Sequence, residues 1–147
     1  MKAAPSHLDR LLSALCHLGV VLLLAGPVFC AVVWGLRRRA SSYSGFQSLQ
    51  ALVYQLFLTL VFVGVLAFNY AVQILLIGLG AVSPSTGMPN NAFSGLLLMP
   101  SSALAFILMI YSLSVVYGLL GFLKTLEGEE FKYFFVADYV EKKVSAV

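Results

Sequence analysis

Few residues of this chain could do chemistry, and most of those lie within hydrocarbon-like sequence. His17, Cys16 and Cys30 fall in one apolar run, Leu11 to Leu36; Gln47, Gln50, Tyr54, Gln55, Asn69 and Gln73 punctuate a second. A histidine in such a setting could ligate a haem or a chlorophyll through a ring nitrogen. Cofactor sites between helices normally draw on a second ligand, and the other histidine, His7, stands outside the run. A hydrogen-bonded structural histidine is the simpler reading of His17, and neither cofactor nor metal is predicted. The spacing of Cys16 and Cys30 matches no metal or redox motif, so small apolar filler is their expected role. Nucleophile–base pairs and carboxylate dyads are absent from both runs. Glu127, Glu129, Glu130, Asp138 and Glu141 mingle with lysines near the C-terminus, as in a solvated tail. The sequence predicts no enzyme.

The glutamines pose the sharper question. Placed on a helix at about 100° per residue, Gln47, Gln50 and Tyr54 share one strip. Gln55 lies at its edge, and Asn69 and Gln73 return to the same side further on. Lipid cannot hydrogen-bond an amide, so such a face must meet protein or water. Two functions stay open. The amides could associate helices, or they could line a polar path for a solute or an unfolded peptide. Near the C-terminus Tyr111, Ser114, Gly118 and Gly121 form a second face, with Ser114 and Gly118 at the spacing that lets helix backbones approach closely.

The elements that must position these residues follow from composition. Hydrophobic residues make up 61% of the 147 and charged ones only 10%, whereas soluble domains carry about 25% charge. From Ala40 to Leu123 there is no ionisable Asp, Glu, Lys, Arg or His. A charge at the centre of a bilayer costs about 3 kcal/mol or more, so this pattern suits a chain dissolved in lipid. The net charge of +3 reflects anchors at span ends, not a nucleic-acid surface. The expected fold is an all-α membrane protein with three transmembrane helices and an interfacial aromatic C-terminal segment.

An N-terminal segment (residues 1–10) precedes helix one (11–36). That run is too long for the core of a cleaved signal, and a tilt or a bend at Gly26-Pro27 could absorb its excess length. A basic loop (37–45) leads to a long second helix (46–80), a polar loop (81–95), a third helix (96–123) and a charged, aromatic tail (124–147). Pro100 is tolerable in the first turn of the third helix. Trp34, Arg37, Arg38 and Arg39 would anchor the end of helix one, and Phe131, Tyr133 and Tyr139 would place their rings at headgroup level. Three crossings put Lys2 and Arg10 on one side. Arg37, Arg38, Arg39, Lys124, Lys132, Lys142 and Lys143 lie on the other. The excess of positive charge predicts a cytoplasmic arginine loop and C-terminus, an outside N-terminus, and residence in a bacterial cytoplasmic membrane.

The order HLGVVLLLAGPVFCAVVWGLRRR, SSYSGFQSLQALVYQ, a long uncharged span and a closing KTLEGEEFKYFF resembles a family of small bacterial multi-pass membrane proteins. That family is similar to the Tic20 component of the chloroplast inner-envelope import machinery. Gly26-Pro27, Arg37, Phe46, Gln50, Ala51, Tyr54, Gln55, Gly128, Glu129 and Phe131 carry the likeness. Gln47 stands where the family plan has histidine. The resemblance implies a multi-pass helical fold. With the polar and small-residue faces, it leads to an expected non-catalytic membrane subunit. Its partners would be the lipid bilayer and other membrane subunits or further copies of itself. The alternative is a translocon-like or transporter component forming part of a polar conduit.

Overall fold

The computed structural model describes residues 5–22, 25–78, 101–134 and 136–144. Every regular element among them is helical: α1 (His7–Leu18), a 3-10 turn (Gly19–Leu22), α2 (Ala25–Arg37), α3 (Ser42–Gly78), α4 (Ser101–Glu127) and α5 (Ala137–Val144). The polar loop 81–95 and Pro100 lie outside the described residues. The chain divides into two compact units. Met1–Thr59 with Ser112–Val147 forms one, and Leu60–Tyr111 the other.

Within the larger unit, Leu11–Leu36 is not the single helix its hydropathy suggested. α1 and α2 form an antiparallel hairpin. At one end Arg37 reaches Asp9, with Nη2 to Oδ1 at 2.5 Å and Nε to the same oxygen at 3.2 Å. Midway, Cys30 Sγ donates to the Cys16 carbonyl at 3.4 Å. At the other end a β-carbon on Gly26 would collide with the Gly19 carbonyl. Two glycines let the legs cross backbone to backbone. The fold-back has a local cause in Pro27. Its ring would clash with a carbonyl one turn earlier in a continuous helix. In α2 it occupies the first turn, where no intrahelical partner is needed. The legs of 12 and 13 residues extend about 18–20 Å each, short of the roughly 30 Å hydrocarbon core. Arg10 and Arg37 therefore stand at the same end, whereas the three-crossing order separates them by a membrane.

α1 begins on a sequence-encoded cap. Ser6 accepts from the Asp9 amide at 3.2 Å and donates to Asp9 Oδ2 at 2.6 Å, in the manner of a capping box. α3 starts earlier than expected, because Ser41 Oγ accepts from the Ser44 amide at 3.2 Å and caps the helix ahead of SYSGFQ. α4 runs on past Leu123 to Glu127. It stops at Gly128, whose φ of 88° allows the Gly128 amide to reach Thr125 O and the Glu129 amide to reach Lys124 O. That pair of bonds is a Schellman ending, for which glycine is the favoured residue.

Two helices are long and apolar enough to cross a membrane, over Ser42–Val72 and Leu104–Glu127, while Ala25–Arg37 is apolar but short. In the smaller unit the α3 and α4 segments touch through Phe62 and Tyr111, ring centroids 6.5 Å apart. Leu60, Val63, Phe68, Ile74, Leu104 and Leu113 are exposed, as apolar side chains in lipid would be.

Two predictions follow from the hairpin. Gly26→Ala places a methyl against Gly19 and Gln55 and should cost about 3 kcal/mol, seen as a lower detergent-phase melting temperature; an unchanged melting point would contradict the crossing. Asp9 is pushed up by burial, but the Ser6 and Arg37 hydrogen bonds outweigh this and hold its carboxyl below the ordinary 3.8. A carboxylate with a depressed folded pKa stabilises fully above the unfolded value and loses that contribution as pH falls through the folded one. Asp9→Asn should therefore lower stability by about 2 kcal/mol at neutral pH, with the gap from wild type closing only below pH 3.8.

Candidate functional site: an amide and aromatic lock

Three glutamines on the first half of α3 each fasten a different piece of the larger unit. Gln55 serves the hairpin, with Nε2 donating to the Cys16 carbonyl at 2.8 Å and Oε1 accepting from Cys30 Sγ at 3.7 Å. That carbonyl, in the last turn of α1, also accepts from the Gly19 amide, so Gln55 takes its second lone pair. A β-carbon on Gly19 or Gly26 would sit 3.1 or 2.6 Å from the Gln55 amide, so both glycines admit it to the backbone. Gln50 serves the tail. Its Nε2 donates to Phe131 O at 3.0 Å and its Oε1 accepts from the Tyr133 amide at 3.1 Å. The side chain thus pairs with a non-helical backbone as a neighbouring strand would.

Gln47 serves His17, which is fully buried. Gln47 Oε1 lies 3.0 Å from His17 Nε2, and Tyr133 Oη lies 2.9 Å from Nδ1. An amide oxygen only accepts, so Nε2 carries the proton, Nδ1 is the acceptor and Tyr133 donates. Both ring nitrogens lie within hydrogen-bond distance of protein groups, the arrangement of a structural histidine. Around this trio Tyr133 stacks on Tyr54 (centroids 4.1 Å, planes 15° apart). Phe131 and Tyr117 meet Tyr133 edge-on at 5.0 and 5.3 Å, in the geometry aromatic quadrupoles favour. Phe131 and Tyr133 are buried, 7% and 1% exposed. Their rings pack against protein, because the tail folds back onto α3 through Val136 and Val140. Gln47 Nε2, Ser13 Oγ and Ser44 Oγ are buried with no partner among the described residues.

The remaining sequence-nominated residues sort clearly. Ser114 hydrogen-bonds Tyr54. A β-carbon on Gly118 would sit 2.6 Å from Val20, and one on Gly121 would sit 3.0 Å from His17 Nδ1 and from Phe131. The small-residue face of α4 is therefore spent on the hairpin and tail of the same chain. Trp34 lies under the Arg38 guanidinium, 4.9 Å from its ring centroid. Arg39 is exposed and Asn69 half-buried. The side chains of Gln73 and Tyr139 lie outside those described. The structure adds residues that spacing could not single out: Asp9 pairs with Arg37, and Tyr43 Oη donates to Thr125 O and Glu129 O at 3.1 and 3.0 Å. Both pairings went unread in the sequence; a Ser three residues before Asp9 is the one local signal that could have drawn attention to the first.

Chemically, this arrangement holds helices together. Among the described residues no cluster of three His, Cys, Asp or Glu could bind a metal, and Cys16 and Cys30 are buried free thiols. The amides of Gln50 and Gln55 are engaged with protein at both ends.

Neither a curated protein nor a solved structure is significantly similar to the chain. The profile of one family, described as the magnetosome magnetite crystal formation protein family, MamF/MmsF, matches residues 8–140, from the first turn of α1 into α5. This family is related to Tic20-like small membrane proteins, the group the sequence resembled, and it is a non-catalytic membrane family involved in crystal formation. The chain is an integral membrane protein and belongs to the MamF/MmsF magnetosome magnetite crystal formation family.

Proposed function

We propose that the protein is a non-catalytic scaffold of the magnetosome membrane, holding a fixed helical platform beside a growing magnetite crystal. The observation that carries this reading is the family match across residues 8–140, which takes in the hairpin, both long helices and the lock. The packing supports a scaffold over a carrier, because Gln50 and Gln55 are spent on backbone and thiol groups of the same chain. Assembly with other membrane subunits, or with further copies, would then use the exposed apolar faces of α3 and α4 through close packing. The magnetosome membrane replaces the plain cytoplasmic membrane as the expected location, since the family's name specifies that compartment.

The test uses a magnetosome-forming cell that lacks this protein. Restoring the wild-type chain should shift the distribution of crystal sizes in electron micrographs, and an unaltered distribution would end the reading. Gln50→Leu strips the partners from Phe131 O and the Tyr133 amide and should cost about 3 kcal/mol. Its protein should accumulate less and restore crystal size only in part, whereas Leu60→Ala on the exposed face of α3 should behave as wild type in both measures.

A further inference from the structure

We infer that the α1–α2 hairpin is a re-entrant wedge that enters the membrane from its basic side, turns within the hydrocarbon and returns, so that the protein prefers membranes whose basic face is convex. The inference concerns the hairpin alone and stands apart from any role in mineral growth.

Four polar ends lie at one level of the larger unit. Asp9 at the start of α1 is bound to Arg37 at the end of α2. Tyr43 at the start of α3 is bound to Thr125 and Glu129 at the end of α4. Arg10 packs on Gly128, its guanidinium carbon 2.9 Å from where a β-carbon would stand. The charges of Arg38, Arg39 and Lys124 join the same end, which is where anionic headgroups attract basic side chains.

The opposite end of the hairpin has the reverse character. From Leu18 to Val33 no side chain is charged or carries a hydroxyl or amide. At the described part of the tip, Val21, Leu22, Val28 and Phe29 are exposed. Such a tip is stable in hydrocarbon and costly in water. Its reach of about 20 Å from the polar base ends short of the far headgroups of a core about 30 Å thick. A turn inside a bilayer is tolerated only where protein satisfies its backbone. Leading into the turn, the Gly19 amide reaches the Cys16 and Leu15 carbonyls, and Gln55 Nε2 adds a second donor at Cys16.

The mechanical consequence concerns area. Two helices of about 10 Å diameter displace roughly 160 Å² of lipid on the side of entry, and the hairpin supplies no counterpart to the opposite headgroups. Expanding one leaflet alone bends the sheet away from the other, with the basic side outward.

Two measurements on full-length protein in sealed vesicles test this. With His7→Cys or Arg39→Cys as the accessible thiol, a membrane-impermeant maleimide should label both positions from the same face, and Leu22→Cys should resist it from either. Labelling of His7→Cys and Arg39→Cys from opposite faces would overturn the re-entrant path. With a dye on Arg39→Cys in a population of mixed vesicle diameters, outward-facing protein per lipid should rise several-fold from the largest vesicles to the smallest. A density independent of diameter would overturn the curvature preference. Gly26→Leu, which prises the legs apart, should flatten that dependence where it still inserts; if it does not insert, the two wild-type-fold measurements decide the matter.

Discussion

A backbone amide or carbonyl surrounded by hydrocarbon must find its partner within the protein, and the larger unit of this chain is organised around that demand. The tail between α4 and α5 is non-helical where it passes α3, and its own bonds, from the Val136 and Ala137 amides to Tyr133 O, leave Phe131 O and the Tyr133 amide to other partners. Gln50 closes both with one side chain, Gln55 adds a donor at the Cys16 carbonyl of α1, and Gln47 partners His17. Once the amides are placed in this way the aromatic rings have defined seats, and Tyr133 links the tail to the histidine and to Tyr54 at once. Hydrophobic driving force is weak between helices already in lipid, which leaves geometry and hydrogen bonding to select this packing.

The same economy explains the distribution of small residues. Gly19, Gly26, Gly118 and Gly121 each stand where a β-carbon would strike a neighbouring side chain or backbone. These contacts all fall inside the larger unit. The described helices of the smaller unit, by contrast, show exposed leucine, valine and phenylalanine faces, the texture of a helix surface that meets acyl chains or a like surface of another subunit. For a family concerned with crystal formation in a membrane compartment, a protein with a rigid polar-locked body and plain apolar flanks suits a structural role.

Much of this was legible in the sequence, and the illegible part has a physical reason. The uncharged stretch from Ala40 to Leu123 declared the lipid environment because charge in hydrocarbon is expensive whatever the fold. The amide stripe declared a face that needed protein, and Gln50 and Gln55 indeed lie against protein. Hydropathy could not distinguish one helix of 26 residues from two of half that length, since both are equally apolar; only the small Gly19 and Gly26 and the placement of Pro27 separate them. Charge counting inherited the error, and put Arg10 across the membrane from Arg37 when the two share one end. The tail misled for another reason. Aromatic rings beside lysines look interfacial, but Phe131 and Tyr133 are recruited inward by glutamines some eighty positions earlier, a long-range pairing with no local signature.

One consequence concerns the order of assembly. His17 and Tyr133 are 116 positions apart, so the ring nitrogen in α1 acquires its donor only after residue 133 has been made. The hairpin's nearer fastenings, Asp9 with Arg37 and Gln55 with Cys16, draw on residues 9 to 55, whereas its contact with the tail waits on residues made much later.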